Sequence, residues 1–448
     1  MGLGRALPVL LVWSCVAQGA EAPSPEGGKP GAKAEPDFLD RLKTVKAGDI
    51  VFRFAAEERI RFERWNNEDL DDHKDDRDRR LFARTRLKMD TVFSDWLQTR
   101  VELVDGREWM SERDPRSQND DLDLHQAYVE LGGKPVMVRL GRQEIDLGSR
   151  RLVAAPTWNN ILRSFDAVRA TYTSDAVEVH AFCGSVVVGE DDHFNEHRHD
   201  ERFSGLYATL KPVPDHKLDL YVFRLHTWNP GYYVTGEDKV KGEHKRYTYG
   251  ARLHGNLAKR WTYEVEGAVQ RGHYANDPIR AWAFYGTTTY TFDLPWQPAI
   301  QPVLVCASGD KDPTDGRHGT FDPLYASTHD MFGGIMDRVT WMNVRSAGVR
   351  LRAKPTAKLT VGVEAHRYWL AEEKDAWYTT GKKAARRDKA GKSGDDIGCE
   401  IGCCAKYAVN KRLEVEGGVA RFFPGAFADR TGPSDTAEFC YLMTVLKF

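Results

Sequence analysis

The side chains able to do chemistry in this chain are its arginines. Arg53, Arg59 and Arg61 share one face of a period-two segment with Glu57 and Glu63, while Ile50, Phe52, Phe54, Ala56, Ile60 and Phe62 take the other. The same alternation puts Arg84, Arg86, Lys88, Arg100, Arg139, Arg169, Arg246, Arg252, Arg350 and Arg352 on polar faces. A guanidinium is a planar fork that matches carboxylates and hydroxyl-rich ligands, and rings of arginine give pores a preference for anions. The acids on those faces are nearly as numerous, among them Glu57, Asp90, Glu102, Glu130, Glu178, Glu264, Glu266, Glu364, Glu400, Glu414 and Glu416. Two readings therefore stand together. Either the charges pair into ladders on a wet wall, or their uneven placement, basic early and acidic late, sets a field across a pore. Catalysis has less support: neither a G-x-S-x-G elbow nor an H-E-x-x-H motif occurs, and the chain is read as a non-enzyme.

Other constellations are thinner. His193, His197 and His199 stand on a polar connection whose ordinary reading is solvation. Asp310, Asp312 and Asp315 with Gly316 resemble a calcium turn but lack the full acidic ladder, so no cofactor is expected beyond a weak possibility of calcium there. On a strand Cys399 and Cys403 point the same way and Cys404 the other, which prevents all three from closing around one zinc. Basic residues between Lys382 and Lys392 could meet lipopolysaccharide phosphates or simply water.

The elements that must position these arginines are strands. From Asp49 onward apolar residues recur at period two, with about eighteen segments of roughly nine to fifteen residues. Long polar connections alternate with short turns, the long set including residues 66–79, 105–121, 149–164, 273–279, 309–338 and 374–396. That asymmetry belongs to outer-membrane barrels, which have short periplasmic turns and long outer loops. The expected fold class is all-β: a single transmembrane antiparallel up-and-down β-barrel of about eighteen strands, too wide for side chains alone to fill. A mean hydropathy of −0.55 fits, because alternate residues face a wet lumen. No apolar run is long enough for a spanning helix. A net charge of −2 gives no field that would favour nucleic acid. Trp65, Trp96, Trp109, Trp228, Trp261, Trp296 and Trp369 fall near expected strand ends, where a bilayer interface would hold them.

Three regions follow. Residues 1–22 read as a signal peptide: a basic start to Arg5, an apolar stretch from Ala6 to Ala17, and a small-x-small site at Ala20-Glu21-Ala22. Residues 23–48 read as a flexible periplasmic tether rich in Pro and Gly, and residues 49–448 as the barrel, closing on a last strand that ends at Phe448.

Gly141-Arg142-Gln143-Glu144-Ile145-Asp146-Leu147-Gly148-Ser149-Arg150-Arg151-Leu152, then Trp158-Asn159-Asn160 and Arg163-Ser164-Phe165-Asp166-Ala167-Val168-Arg169, resemble the signature of the alginate export porin family. Gly309-Asp310, Thr320 to Tyr325 and Gly333-Gly334 resemble that family's later long loop. The resemblance implies an eighteen-stranded monomer in the outer membrane with an Arg-rich constriction that exports an anionic polysaccharide. The acidic late strands depart from a strongly electropositive lumen, so a porin for another solute and an outer-membrane barrel enzyme remain alternatives. Physically, the stretch from Arg142 to Arg163 follows an inward-running strand and fills a loop with Trp158 and Asn159. Folded into the lumen, it would narrow the pore and present Arg150, Arg151 and Arg163, with Asp166 beside Arg163 holding it in place; Arg142, Arg163 and Asp166 read equally as anchors or as solute contacts. Expected partners are outer-membrane lipid or lipopolysaccharide, an anionic polysaccharide, and periplasmic export components.

Overall fold

A computed structural model describes residues 43–448, apart from 75, 113–117, 191–192, 229–233, 236, 238, 328 and 330. The expected signal peptide and most of the expected tether lie outside the described residues. In chain order the strands begin with β1 (Thr44–Ala47), β2 (Ile50–Asn66), β3 (Arg79–Ser94), β4 (Leu97–Trp109), β5 (Asp120–Gly133) and β6 (Val136–Gln143). They continue with β7 (Phe165–Thr173), β8 (Val177–Val188), β9 (Glu196–His197), β10 (Glu201–Val213), β11 (His216–Thr227), β12 (Val234–Thr235) and β13 (Lys241–Gly242). Next come β14 (His244–Ala258), β15 (Trp261–Tyr274), β16 (Asp277–Thr291), β17 (Ala299–Ala307), β18 (Val344–Ala353) and β19 (Leu359–Leu370). The chain finishes with β20 (Ala376–Tyr378), β21 (Ala384–Arg387), β22 (Asp396–Ala408), β23 (Leu413–Pro424), a short helix α1 (Ala426–Thr431) and β24 (Ala437–Lys447).

Every strand of the wall pairs antiparallel with its neighbours, and β24 pairs back onto β2 from Glu57↔Lys447 to Asn66↔Glu438, so the sheet closes. With β1 and β9 set aside as short additions to β2 and β8, eighteen strands make the wall. Closure leaves no open edge, which a spanning sheet requires because lipid offers no hydrogen bonds to unpaired backbone. Residues 44–47, which fall within the expected tether, pair with β2 below the point where β24 stops, Thr44 opposite Arg53. There the Phe448 N–H donates to the Ala56 carbonyl at 3.2 Å, and the Phe448 ring is buried.

Period two does its work in the wall. Leu87, Leu206, Leu253, Leu304, Leu351, Val363, Val419 and Leu442 are exposed on the outside, whereas Arg59, Arg61, Glu102, Arg246, Glu266 and Glu400 are buried inside. Trp96, Trp261 and Trp296 are exposed at the short-turn rim and Trp109 at the opposite one. Trp65 departs from the expected belt. It has the inward parity of Glu63, is 8 % exposed, and packs on Phe439 with ring centroids 4.2 Å apart.

Connections alternate as expected with one exception. Residues 273–279, expected to be a long loop, instead form a tight hairpin in which Tyr274 pairs with Asp277 around Ala275 and Asn276. Ala275 adopts φ 53°, which closes the turn. The polar ends of β15 and β16 rise as strands past the apolar belt, where composition alone resembles loop. The largest apolar core lies inside the barrel. Ile145, Leu152 and Val153 from the β6–β7 connection pack with Phe321, Phe332 and Trp341 from the β17–β18 connection, so both long segments are folded into the lumen.

Candidate pore and constriction

The β6–β7 connection is strapped across the lumen at both ends. On one wall, Arg59 and Arg84 stand opposite each other on β2 and β3. Arg59 donates to the carbonyls of Thr157 (2.6 Å) and Trp158 (2.7 Å) and to Asn160 Oδ1 (2.5 Å). Arg84 donates to the carbonyls of Thr157 (2.9 Å) and Asn159 (2.8 Å) and pairs with Glu57 at 2.7 Å. Arg61 also donates to the Trp158 carbonyl, lies 3.9 Å over its ring, and pairs with Glu63 at 2.8 Å. Three guanidinium groups thus gather the acceptors of one turn of chain. Asn160, fully buried, completes the fit by donating back to the carbonyls of Ala83 and Arg107.

On the far wall, Arg151 pairs with Glu266 at 2.7 Å and with Glu264, and lies 3.8 Å over the Tyr285 ring. Arg163 ties this loop to the second one, donating to the carbonyls of Ala154 (3.0 Å), Tyr325 (2.5 Å) and Ala326 (3.1 Å). The two loops also pair through backbone, with Val153 bridged to Tyr325. Arg150 is half-exposed and pairs with Asp146 at 2.7 Å. Inward folding of the loop matches the sequence expectation. Arg151 and Arg163 nevertheless spend their donors on anchoring, and only Arg150 keeps an exposed head.

Elsewhere the inner wall carries charge ladders. Arg86 pairs with Glu102 (2.6 Å) and Glu144 (3.0 Å), and Arg139 with Glu130 (2.6 Å). Arg252 pairs with Asp219 (2.6 Å) and Glu264 (2.7 Å), and Arg350 with Glu364 (2.9 Å). Arg53 is exposed near the short-turn rim, opposite Asp90. Arg169 is different. It stands directly opposite Arg139, its Nη2 meets His180 Nδ1 at 3.1 Å, its Nε has no partner, and no carboxylate pairs with it among the described residues.

Arg142 and Asp166 are placed differently from expectation. They pair with each other (2.8 Å), not with the loop, and His197 Nδ1 lies 3.0 Å from Asp166. They share the parity of Leu140 and Val168, which are 39 % and 52 % exposed on the outer wall. Arg163, close in sequence to Asp166, precedes the strand and turns inward, so the two do not meet.

Toward the long-loop side the two inward segments leave a cavity of about 810 Å³. Arg61, Arg80, Arg163, Arg338, Lys383 and Arg386 supply its cations, and Glu63, Glu68, Asp69 and Asp337 its acids. Trp65, Trp158 and Trp377 supply flat apolar walls. Arg338 donates to the Glu68 carbonyl at 2.7 Å, while its Nε and Nη2 are unpartnered. Arg80 shares the inward parity of Arg84 and was within reach of the period-two pattern; Arg338, Lys383 and Arg386 sit on connections and had no periodic signal.

Contacts within and around the β17–β18 connection brace this arrangement. Burial alone would raise the Asp322 carboxyl, but Lys382 at 2.6 Å and Arg246 overcome it and hold the group well below the usual carboxylate range. Asp310 accepts from the backbone N–H groups of Gly319 and Asp312, and Asp312 accepts from the Thr314 hydroxyl. Asp315 is tied in through its own N–H, which donates to the Asp312 carbonyl. Among the described residues no three His, Cys, Asp or Glu side chains gather as a metal site. Among the described residues Cys183, Cys306, Cys399, Cys403, Cys404 and Cys440 form no disulfide.

Known structures share this architecture. The chain is similar to OpdO of Pseudomonas aeruginosa at 12 % identity, TM-score 0.62, over 91 % of this chain and 99 % of that one. It is similar to the outer-membrane protein opdK of the same organism at 13 % identity, TM-score 0.62, over 88 % and 98 %. OpdK has also been solved with vanillate; that structure matches at 12 % identity, TM-score 0.60, over 88 % and 98 %. At such identities the likeness establishes the fold alone. No curated protein matches. The family model described as alginate export, however, matches residues 51–441, and with the closed wall and inward loops it places the chain in the alginate export family of bacterial outer-membrane porins.

Proposed function

We propose that this barrel passes an anionic, hydroxyl-rich oligo- or polysaccharide of alginate type by passive diffusion guided by arginines. The observation that carries the reading is the cavity beside the strap, where six cations outnumber four acids among three indoles. Guanidinium forks bind carboxylates in bidentate fashion, and indole faces offer apolar surface with a polar tip to sugar rings. Arg169, with no carboxylate partner among the described residues, adds positive potential to the inner wall. Arg86, Arg139, Arg252 and Arg350 are neutralised by ladder partners, which keeps the passage polar without trapping the solute.

The paired ladders favour a second reading, a porin for other polar solutes, since Arg86, Arg139, Arg252 and Arg350 all spend their charge on acids. Efflux from proteoliposomes separates the two. Liposomes loaded with an oligouronate and a neutral oligosaccharide of equal length should lose the oligouronate several-fold faster when the barrel is present. Equal rates would remove the anionic preference and leave the second reading.

A further inference from the structure

The outer wall holds arginines that the pore does not use. Arg64 on β2 and Arg79 on β3 stand directly opposite each other, both exposed, near the long-loop rim. Their parity is that of Phe62 and Leu81, which face outward below them. Like charges directly opposite on a sheet repel, and neither arginine pairs with a carboxylate among the described residues. Three further outward arginines near this rim are neutralised within the chain: Arg345 by Asp395 (2.5 Å), Arg367 by Asp396 (2.7 Å), and Arg107 by Asp105 (2.6 Å). The Arg64–Arg79 pair thus lacks the counter-charge its neighbours have.

A groove of about 360 Å³ starts beside that pair, at the seam where β24 meets β2. Arg64 and Arg421 line its upper part, and Ile401, Cys403, Val419 and Cys440 supply a mostly apolar floor. Arg421 is 55 % exposed and only loosely tied to Glu438, at 3.4 Å. Leu442, further down the same face of β24, is exposed and continues the apolar track toward the belt. The device recurs across the barrel, where Arg271 and Arg280 stand opposite each other above Val269 and Trp282, both exposed outward.

We infer that this seam binds a phosphorylated glycolipid of the outer leaflet, its phosphate held by Arg64, Arg79 and Arg421 and an acyl chain laid along Val419 and Ile401. The long-loop rim is the side that faces the outer leaflet, and the chemistry there is complementary: arginine forks for a phosphate dianion, an apolar trough for hydrocarbon. Binding would also brace the seam that closes the barrel. The inference is independent of which solute the pore passes.

The test uses the full barrel in detergent, titrated with diphosphorylated lipid A and followed by native mass spectrometry. Arg64→Gln combined with Arg79→Gln should weaken binding at least tenfold, and Arg421→Gln alone several-fold. Dephosphorylated lipid A should bind wild type as weakly as diphosphorylated lipid binds the double variant. Arg367→Gln, which disturbs an already neutralised pair, should bind as wild type does. Heat-modifiable gel migration and unchanged channel conductance report that each variant is folded. Failure of wild type to bind, equal binding of phosphate-free lipid, or a folded double variant with undiminished affinity would each overturn the assignment. The phosphate-free comparison holds even where a variant does not fold.

Discussion

Three guanidinium groups converging on one turn of chain explain why the arginines read from period two do not simply line an open pore. Arg59, Arg61 and Arg84 meet the carbonyls of residues 157–159 and the Asn160 side chain, and in doing so they hold the strap at its narrow end. Among the described residues Arg59 is the member with no acid of its own in contact, so its loss is the cleanest test. Arg59→Ala should strand buried acceptors at a cost of about 1–3 kcal/mol in loop anchoring and increase open-channel noise and mean conductance. Quiet, wild-type currents from the variant would mean that Arg61 and Arg84 suffice. The inward direction of these side chains was legible, because alternation decides which face of a strand meets the lumen. What they touch was not, since their partners lie 73 to 101 residues away along a connection with no periodicity. Asp166 shows the same limit from the other side: adjacency to Arg163 in sequence suggested a pair, yet the loop-to-strand turn sends one inward and the other outward.

Among the elements, the long connections behave as two classes. The β6–β7 and β17–β18 segments carry enough apolar residues, Leu152, Val153, Phe321, Phe332 and Trp341 among them, to bury a core inside the lumen. The β2–β3, β19–β22 and β23–β24 connections add fewer buried residues to it, Leu70, Trp377 and Phe427 among them. The β11–β14 connection touches the inward loop through Glu237, whose carboxylate accepts from the Gly316 N–H at 2.7 Å. Burial pushes the Glu237 carboxyl up to about 7, with the neighbouring acids Asp310, Asp277 and Asp315 adding to it against the Gly316 hydrogen bond. A carboxyl raised in the folded state favours its protonated form there. Its contribution is therefore complete below the ordinary glutamate range and disappears as pH rises through about 7. Hydrogen exchange should show residues 312–318 losing protection between pH 6 and pH 8 beyond the intrinsic base-catalysed increase, and Glu237→Gln should flatten that change. Equal protection at both pH values in wild type would contradict the coupling. Element boundaries were legible wherever a short turn met an apolar strand. The β15–β16 hairpin was not, because strands that project past the bilayer lose the apolar half of their pattern.

For the whole molecule, closure of β24 onto β2 turns a chain of ordinary hydropathy into a membrane protein: one face of each strand dissolves in lipid and the other in water. That much was present in the alternation of residues and of connection lengths. The route through the barrel was not, because it depends on how two loops share the lumen and on which charges they leave unspent. Single-channel recording in planar bilayers, with an oligouronate added to one side, separates an anion-guided pore from an unselective or closed barrel. Stable anion-preferring currents are expected, interrupted by the oligouronate at concentrations where a neutral oligosaccharide of equal length does not interrupt them, with Arg169→Gln lowering the preference. Absence of current, or equal interruption by the two oligosaccharides, would contradict an anion-guided pore.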